Sequence, residues 1–98
     1  MKHFVLFYDY PPDFRERRAP FRPAHIAHAN AAIGTGALQL GGAFADEPPM
    51  GLFLFKAEDA GDVENFARAD PYVVNALVTS WRVREWTTVV GPGALTQI

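Results

Sequence analysis

Apolar residues along the chain fall into four short runs, and two stretches of helical spacing lie between them. Lys2 to Tyr8 carries Phe4, Val5, Leu6, Phe7 and Tyr8 and stops at Asp9-Tyr10-Pro11-Pro12, which predicts a strand ending in a loop. Phe14 to Arg18 allows a single helical turn before Pro20. Arg22 to Ile33 predicts a helix, with Pro23 near its first position and Gly34 or Gly36 at its end. Ile26, Asn30 and Ile33 share one face of that helix, with Ala29 beside them. Ala37 to Phe44 and Gly51 to Lys56 predict two more strands, joined by Asp46-Glu47-Pro48-Pro49. Asp59 to Ala69 predicts a second helix, capped by Asp59 and facing inward with Val63, Phe66 and Ala67. Asp70-Pro71 restarts it as a short helix through Leu77. Trp81 to Val90 reads as a long fourth strand, closed by Gly91-Pro92-Gly93.

The resulting order is β-α-β-β-α-β in one α+β domain spanning residues 1–98. That order suggests a four-stranded antiparallel sheet with both helices on one face and the first and third strands in the centre. Those two strands are apolar on both sides, whereas an antiparallel sheet with one wet face alternates apolar with polar. The face away from the helices therefore needs a cover. The chain shows no spare element for it, so the expectation is a second copy, sheet against sheet. Each large side chain buried there would contribute about 1.5–3 kcal/mol.

Composition narrows the function classes. Of 98 residues, 49% are hydrophobic and 13% aromatic, which excludes a disordered chain. The absence of cysteine removes disulfides, thiolate metal sites and a cysteine nucleophile. A formal net charge of −2 gives no footprint for nucleic acid. No apolar run approaches membrane-spanning length and the first residues lack a signal-peptide pattern, so a cytoplasmic protein is expected.

Two proline-marked segments carry the chemistry: Arg22-Pro23-Ala24-His25-Ile26 and Ala69-Asp70-Pro71-Tyr72-Val73. The first delivers a histidine to the opening turn of a helix, the second an aspartate to a cap position. A carboxylate beside a histidine fixes its tautomer and favours its protonated form. On the residues alone, His25 is also readable as a half-exposed polar residue and Asp70 as a simple cap worth about 0.5–2 kcal/mol. In the split βαβ arrangement the two helices are neighbours, so the side chains can converge. His28 lies one turn beyond His25, but no third ligand accompanies them and no metal centre is expected. His3 reads as a sheet residue. Arg15, Arg17 and Arg18, with Glu16 among them, read as a solvated basic face able to guide a small acid. Gly41-Gly42 permits close approach of a ligand, relief of crowding or a bulge. Gly34-Thr35-Gly36 follows a helix rather than opening one, so it is no phosphate cradle. Ser80, the only serine, has no activating neighbour in sequence.

The strand ending in Tyr8-Asp9, the Arg22-Pro23-Ala24-His25 motif, the Gly41-Gly42 pair and Ala69-Asp70-Pro71-Tyr72-Val73 together resemble the YciI-like family. The resemblance spans nearly the whole chain; the tail after Val90 and Pro11-Pro12 lie outside its pattern. It implies a ferredoxin-like subunit assembled as a dimeric α/β barrel. It also implies a histidine and an aspartate, here His25 and Asp70, in a pocket between helices and sheet. Arg22, Tyr72, Gly42 and Asp9 are then expected on the substrate side.

The expected function is a cofactor-independent enzyme in which His25 moves a proton on a small polar or anionic molecule and Asp70 orients it. Elimination and isomerisation fit, because no nucleophile, metal set or redox group is visible. The alternatives are a non-catalytic ligand-binding or interaction module, and a cofactorless oxygenase with a larger apolar pocket lined by Phe21, Phe44 and Trp86.

Overall fold

The computed structural model describes residues 1–96. Its elements are β1 (Lys2–Asp9), α1 (Phe14–Arg17), α2 (Arg22–Gly34), β2 (Leu38–Ala43), β3 (Met50–Ala57), α3 (Ala60–Ala69), α4 (Pro71–Val74) and β4 (Ser80–Trp86). The strands form one sheet in the order β2-β3-β1-β4, and every neighbouring pair is antiparallel. This is the α+β, ferredoxin-like arrangement, with β1 and β3 in the centre.

Register decides which side chains meet. Phe4 pairs with Phe55, Leu6 with Phe53 and Val83, and Tyr8 with Trp81. Strand residues alternate between faces, so these share the helix side. There they pack with Val63, Phe66 and Ala67 of α3 and with Leu38, Tyr72 and Leu77. Asp59 starts α3 by accepting the Asp62 N–H at 3.3 Å, which satisfies one of the helix's orphan donors. The other sheet face carries Val5, Phe7, Leu40, Leu52 and Leu54, with Leu40 72% exposed. Arg82 lies 4.5 Å over the Phe7 ring and covers part of that face.

Three features differ from the sequence reading. The fourth strand ends at Trp86 instead of Val90. Trp86 pairs with His3, near the start of β1, so only Met1 and Lys2 remain opposite a longer strand. Residues 87–96 instead turn back at Gly91 (φ 98°), and the Thr96 N–H returns to the Thr88 carbonyl at 2.9 Å. Thr88 Oγ1 bonds His3 Nδ1 at 2.7 Å, so the chain does hold a segment against one end of the open face. The short helix α4 ends at Val74, because Ala76 adopts φ 58° and the Leu77 N–H turns back to the Tyr72 carbonyl.

The third difference is the orientation of α2. Ile26 and Ile33 were expected to face the core, yet they are 42% and 51% exposed. The inward face is His25, His28, Ala29 and Ala32, the i, i+3, i+4, i+7 set one position away. The two histidines find buried partners on other elements, and the small alanines allow close approach. Among the described residues, no helix is long and apolar enough to cross a membrane.

Candidate functional site

Asp70 is the hub. It follows α3 and caps α4, with extended backbone (φ −67°, ψ 127°). Pro71 imposes that conformation on the residue before it and supplies a first helical position that needs no N–H. Asp70 is fully buried. Its Oδ1 accepts the Tyr72 N–H at 3.0 Å, and its Oδ2 accepts the Tyr8 hydroxyl at 2.7 Å. His25 Nδ1 lies 2.9 Å from both oxygens. Three donors thus converge on one buried carboxylate.

His25 reaches Asp70 from the first turn of α2 and is 7% exposed. With Nδ1–H donated to the carboxylate, the neutral ring carries its lone pair on Nε2. Nε2 has no protein partner among the described residues, yet no buried side-chain nitrogen or oxygen there is unpartnered. Nε2 therefore opens to the adjacent cleft, which His25 lines. The imidazole lies flat on the Tyr72 ring, 3.8 Å between centroids and 5° between planes. Contact with the Tyr72 face restricts the ring's tilt. Tyr10 and Phe14 stack in turn at 3.6 Å and meet Tyr72 edge-on.

Burial first, then the Asp70 charge and hydrogen bond, push the Tyr8 phenol far above the usual tyrosine range. Tyr8 therefore keeps its proton at neutral pH and donates it to Asp70. Tyr10 is likewise raised, chiefly by burial. Burial raises Tyr72 as well, while the Arg18 and Arg22 guanidiniums pull it back.

The cleft holds about 310 Å³ between α2 and the β2–β3 side of the sheet. Arg22, His25, Tyr72 and Gly42 all line it, so four of the six residues expected on sequence grounds come together. Asp70 stands behind His25. Asp9 does not join them. Because Tyr8 faces the helices, its neighbour points to the opposite face, where Ser80 and Arg82 take the Asp9 carboxylate at 2.6 and 3.3 Å. Gly41 relieves crowding: a Cβ there would sit 2.8 Å from the Phe53 ring, whereas Gly42 has open space. Phe21, Phe44 and Trp86, expected around an oxygenase pocket, do not line this cleft. His28 donates through Nε2 to the Phe66 carbonyl at 2.9 Å and stacks on the Phe66 ring. Among the described residues, no cluster of three or more His, Asp or Glu residues could hold a metal ion.

Sequence reasoning missed Tyr8 and Arg18. Tyr8 read as one more apolar strand residue, but a tyrosine in a run of core positions needs a partner for its hydroxyl. Arg18 read as part of a solvated patch, yet it lines the cleft.

The sequence profile of the YCII-related domain matches residues 1–87. No curated protein matches the chain. Among solved structures, the chain is similar to the 5-chloro-2-hydroxyhydroquinone dehydrochlorinase TftG of Burkholderia phenoliruptrix AC1100, in complex with 2,5-dihydroxybenzoquinone. The TM-score is 0.73 at 21% identity, over 88% of this chain and 94% of that one. At that identity the likeness shows the fold alone.

Proposed function

The chain belongs to the YCII-related domain family, and from that premise we propose that it is an acid/base enzyme for a small organic molecule, with His25 as the proton carrier. One observation supports this above others: an imidazole that gives Nδ1 to a buried carboxylate and turns Nε2 to an open cleft. In this reading Nε2 takes a proton from the bound molecule, and Asp70 stabilises the imidazolium so formed. Nε2 then returns the proton to a leaving group or to another atom of the same molecule. Elimination and isomerisation ask for that transfer and no resident cofactor. The similar dehydrochlorinase, solved with a small ring compound, adds support, since loss of HCl is an elimination. Arg22, Tyr72 and the Gly42 backbone would hold the molecule. Two copies are proposed to pair through the sheet face that carries Val5, Phe7, Leu52 and Leu54.

Proton NMR in deuterated water tests the reading, with chlorinated hydroquinones and small ring diketones as substrates. The expected result is deuterium exchange or chloride loss with at least one class, slowed about a hundred- to ten-thousand-fold in His25→Asn. Turnover at the wild-type rate in His25→Asn overturns it. Binding with no turnover in the wild type overturns it too, in favour of a ligand-binding module.

A further inference from the structure

Charge is distributed unevenly around the cleft. Four arginines lie between residues 15 and 22. Arg15 is paired with Glu47 at 3.0 Å and Arg17 with Asp13 at 3.5 Å. Arg18 and Arg22 have no carboxylate within ion-pair distance among the described residues. Both line the cleft, and no Asp or Glu does. The Asp70 charge is screened from the opening by the His25 ring and committed to three donors. The Arg18 guanidinium lies 5.4 Å over the Phe14 ring, and both arginines act electrostatically on the Tyr72 phenol. Two unneutralised cations therefore stand at the Tyr72 end, next to His25.

Apart from Asn30 and Tyr10, the remaining wall is apolar. Ile26 and Ile33 are left 42% and 51% exposed on α2, and the buried Leu38 backs the cleft across from that helix. Exposed branched side chains in a concave wall gain most from a ligand that covers them. A lone phosphate or a small dicarboxylate would use the arginines and leave this wall wet. A neutral ring would cover the wall and leave both guanidiniums unanswered.

We propose that the cleft takes an organic anion with an apolar ring body, its carboxylate or enolate oxygens on Arg18 and Arg22 and its ring against Ile26, Ile33 and Leu38. This makes Arg18 a substrate-binding residue. It rests on the reading of the cleft as the substrate site of His25, but it concerns recognition and not proton transfer. The charge on two guanidiniums is met by charge-assisted hydrogen bonds, which are shorter and stronger than neutral ones.

Binding probes separate the two requirements. Sodium 2-naphthoate has ring and charge, 2-naphthamide has the ring alone, and acetate has the charge alone. Calorimetry and ¹⁵N-resolved NMR titration of the full chain give affinities and the residues touched. The expected result is 2-naphthoate at least about tenfold tighter than either comparator, a difference of about 1.4 kcal/mol. Its shifts should centre on Arg18, Ile33 and Leu38. Arg18→Gln, a change at a half-exposed site, should weaken 2-naphthoate about fivefold or more and leave 2-naphthamide unchanged; Arg22→Gln provides the second variant. Equal affinity for acid and amide, equal affinity for acetate, no binding of 2-naphthoate, or an unaltered affinity in both arginine variants overturns the proposal. Turnover plays no part in these readouts. A failed acid/base reading would leave the naphthoate preference standing, and a failed anion proposal would leave His25-dependent turnover standing.

Discussion

The hydroxyl of Tyr8 donates to Oδ2 of Asp70 at 2.7 Å, joining the sheet's central strand to the cap of α4 across 62 residues of sequence. Both groups are fully buried. The bond fixes Oδ2, one of the two carboxylate oxygens that lie 2.9 Å from His25 Nδ1.

Tyr8→Phe keeps the ring and removes the donor. A hydrogen bond to a charged group is worth about 1.5–3 kcal/mol. The variant should fold and lose about that much stability in urea titration, with an unchanged slope against denaturant. An unaltered midpoint would mean that Asp70 does not depend on Tyr8.

How much of this was legible in the residues differs from place to place. The element order and the convergence of His25 with Asp70 follow from two proline-marked helix starts and the neighbourhood of helices in a split βαβ chain. The rotation of α2 did not follow, because apolar periodicity pointed to Ile26 and Ile33. The helix turns by about one position because His25 and His28 bond to Asp70 and the Phe66 carbonyl, partners supplied by a distant segment. Arg18 was indistinguishable from Arg15 and Arg17 until Glu47 and Asp13 had claimed those two. The end of β4 was set by where β1 begins, which no local signal near residue 86 carries.

Gly41 and Gly42 are adjacent yet unequal. An alanine Cβ at 41 would meet Phe53 Cδ1 at 2.8 Å, and Phe53 is a buried core ring. Gly41→Ala should cost about 1–3 kcal/mol through overpacking. Gly42→Ala should stay within about 1 kcal/mol of the wild type. Thermal melts of both variants decide it, and equal melting temperatures would contradict the packing assigned to Phe53.

His3 makes stability pH-dependent. Burial first, and then the Lys56 charge across the ladder, hold its imidazole below the ordinary histidine value. Below about pH 6.5 the unfolded chain therefore binds a proton that the folded chain resists. The contribution is fully present above that pH and is lost as pH falls toward the lower folded value. Urea midpoints at about pH 7.5 and about pH 5.5 should fall less in His3→Gln than in the wild type. An identical fall in both proteins would remove His3 as the cause.

The open sheet face carries exposed Leu40 and Leu52 beside half-buried Val5, Phe7 and Leu54. Burial of such a face against a second copy would favour association. Sedimentation equilibrium at micromolar concentration should give a dimer for the wild type and a monomer for Leu52→Glu. A wild-type monomer would contradict the proposed pairing.

The acid/base role proposed for His25 requires a neutral ring that holds its proton on Nδ1, against Asp70, and presents a lone pair at Nε2 to the cleft. Imidazole ¹⁵N shifts and long-range ¹H–¹⁵N couplings report the tautomer directly. At a pH where the ring is neutral, the wild type should show His25 as the Nδ1–H form, and Asp70→Ala should shift it toward the Nε2–H form. A wild-type His25 already in the Nε2–H form would leave no base facing the cleft and would contradict the acid/base role.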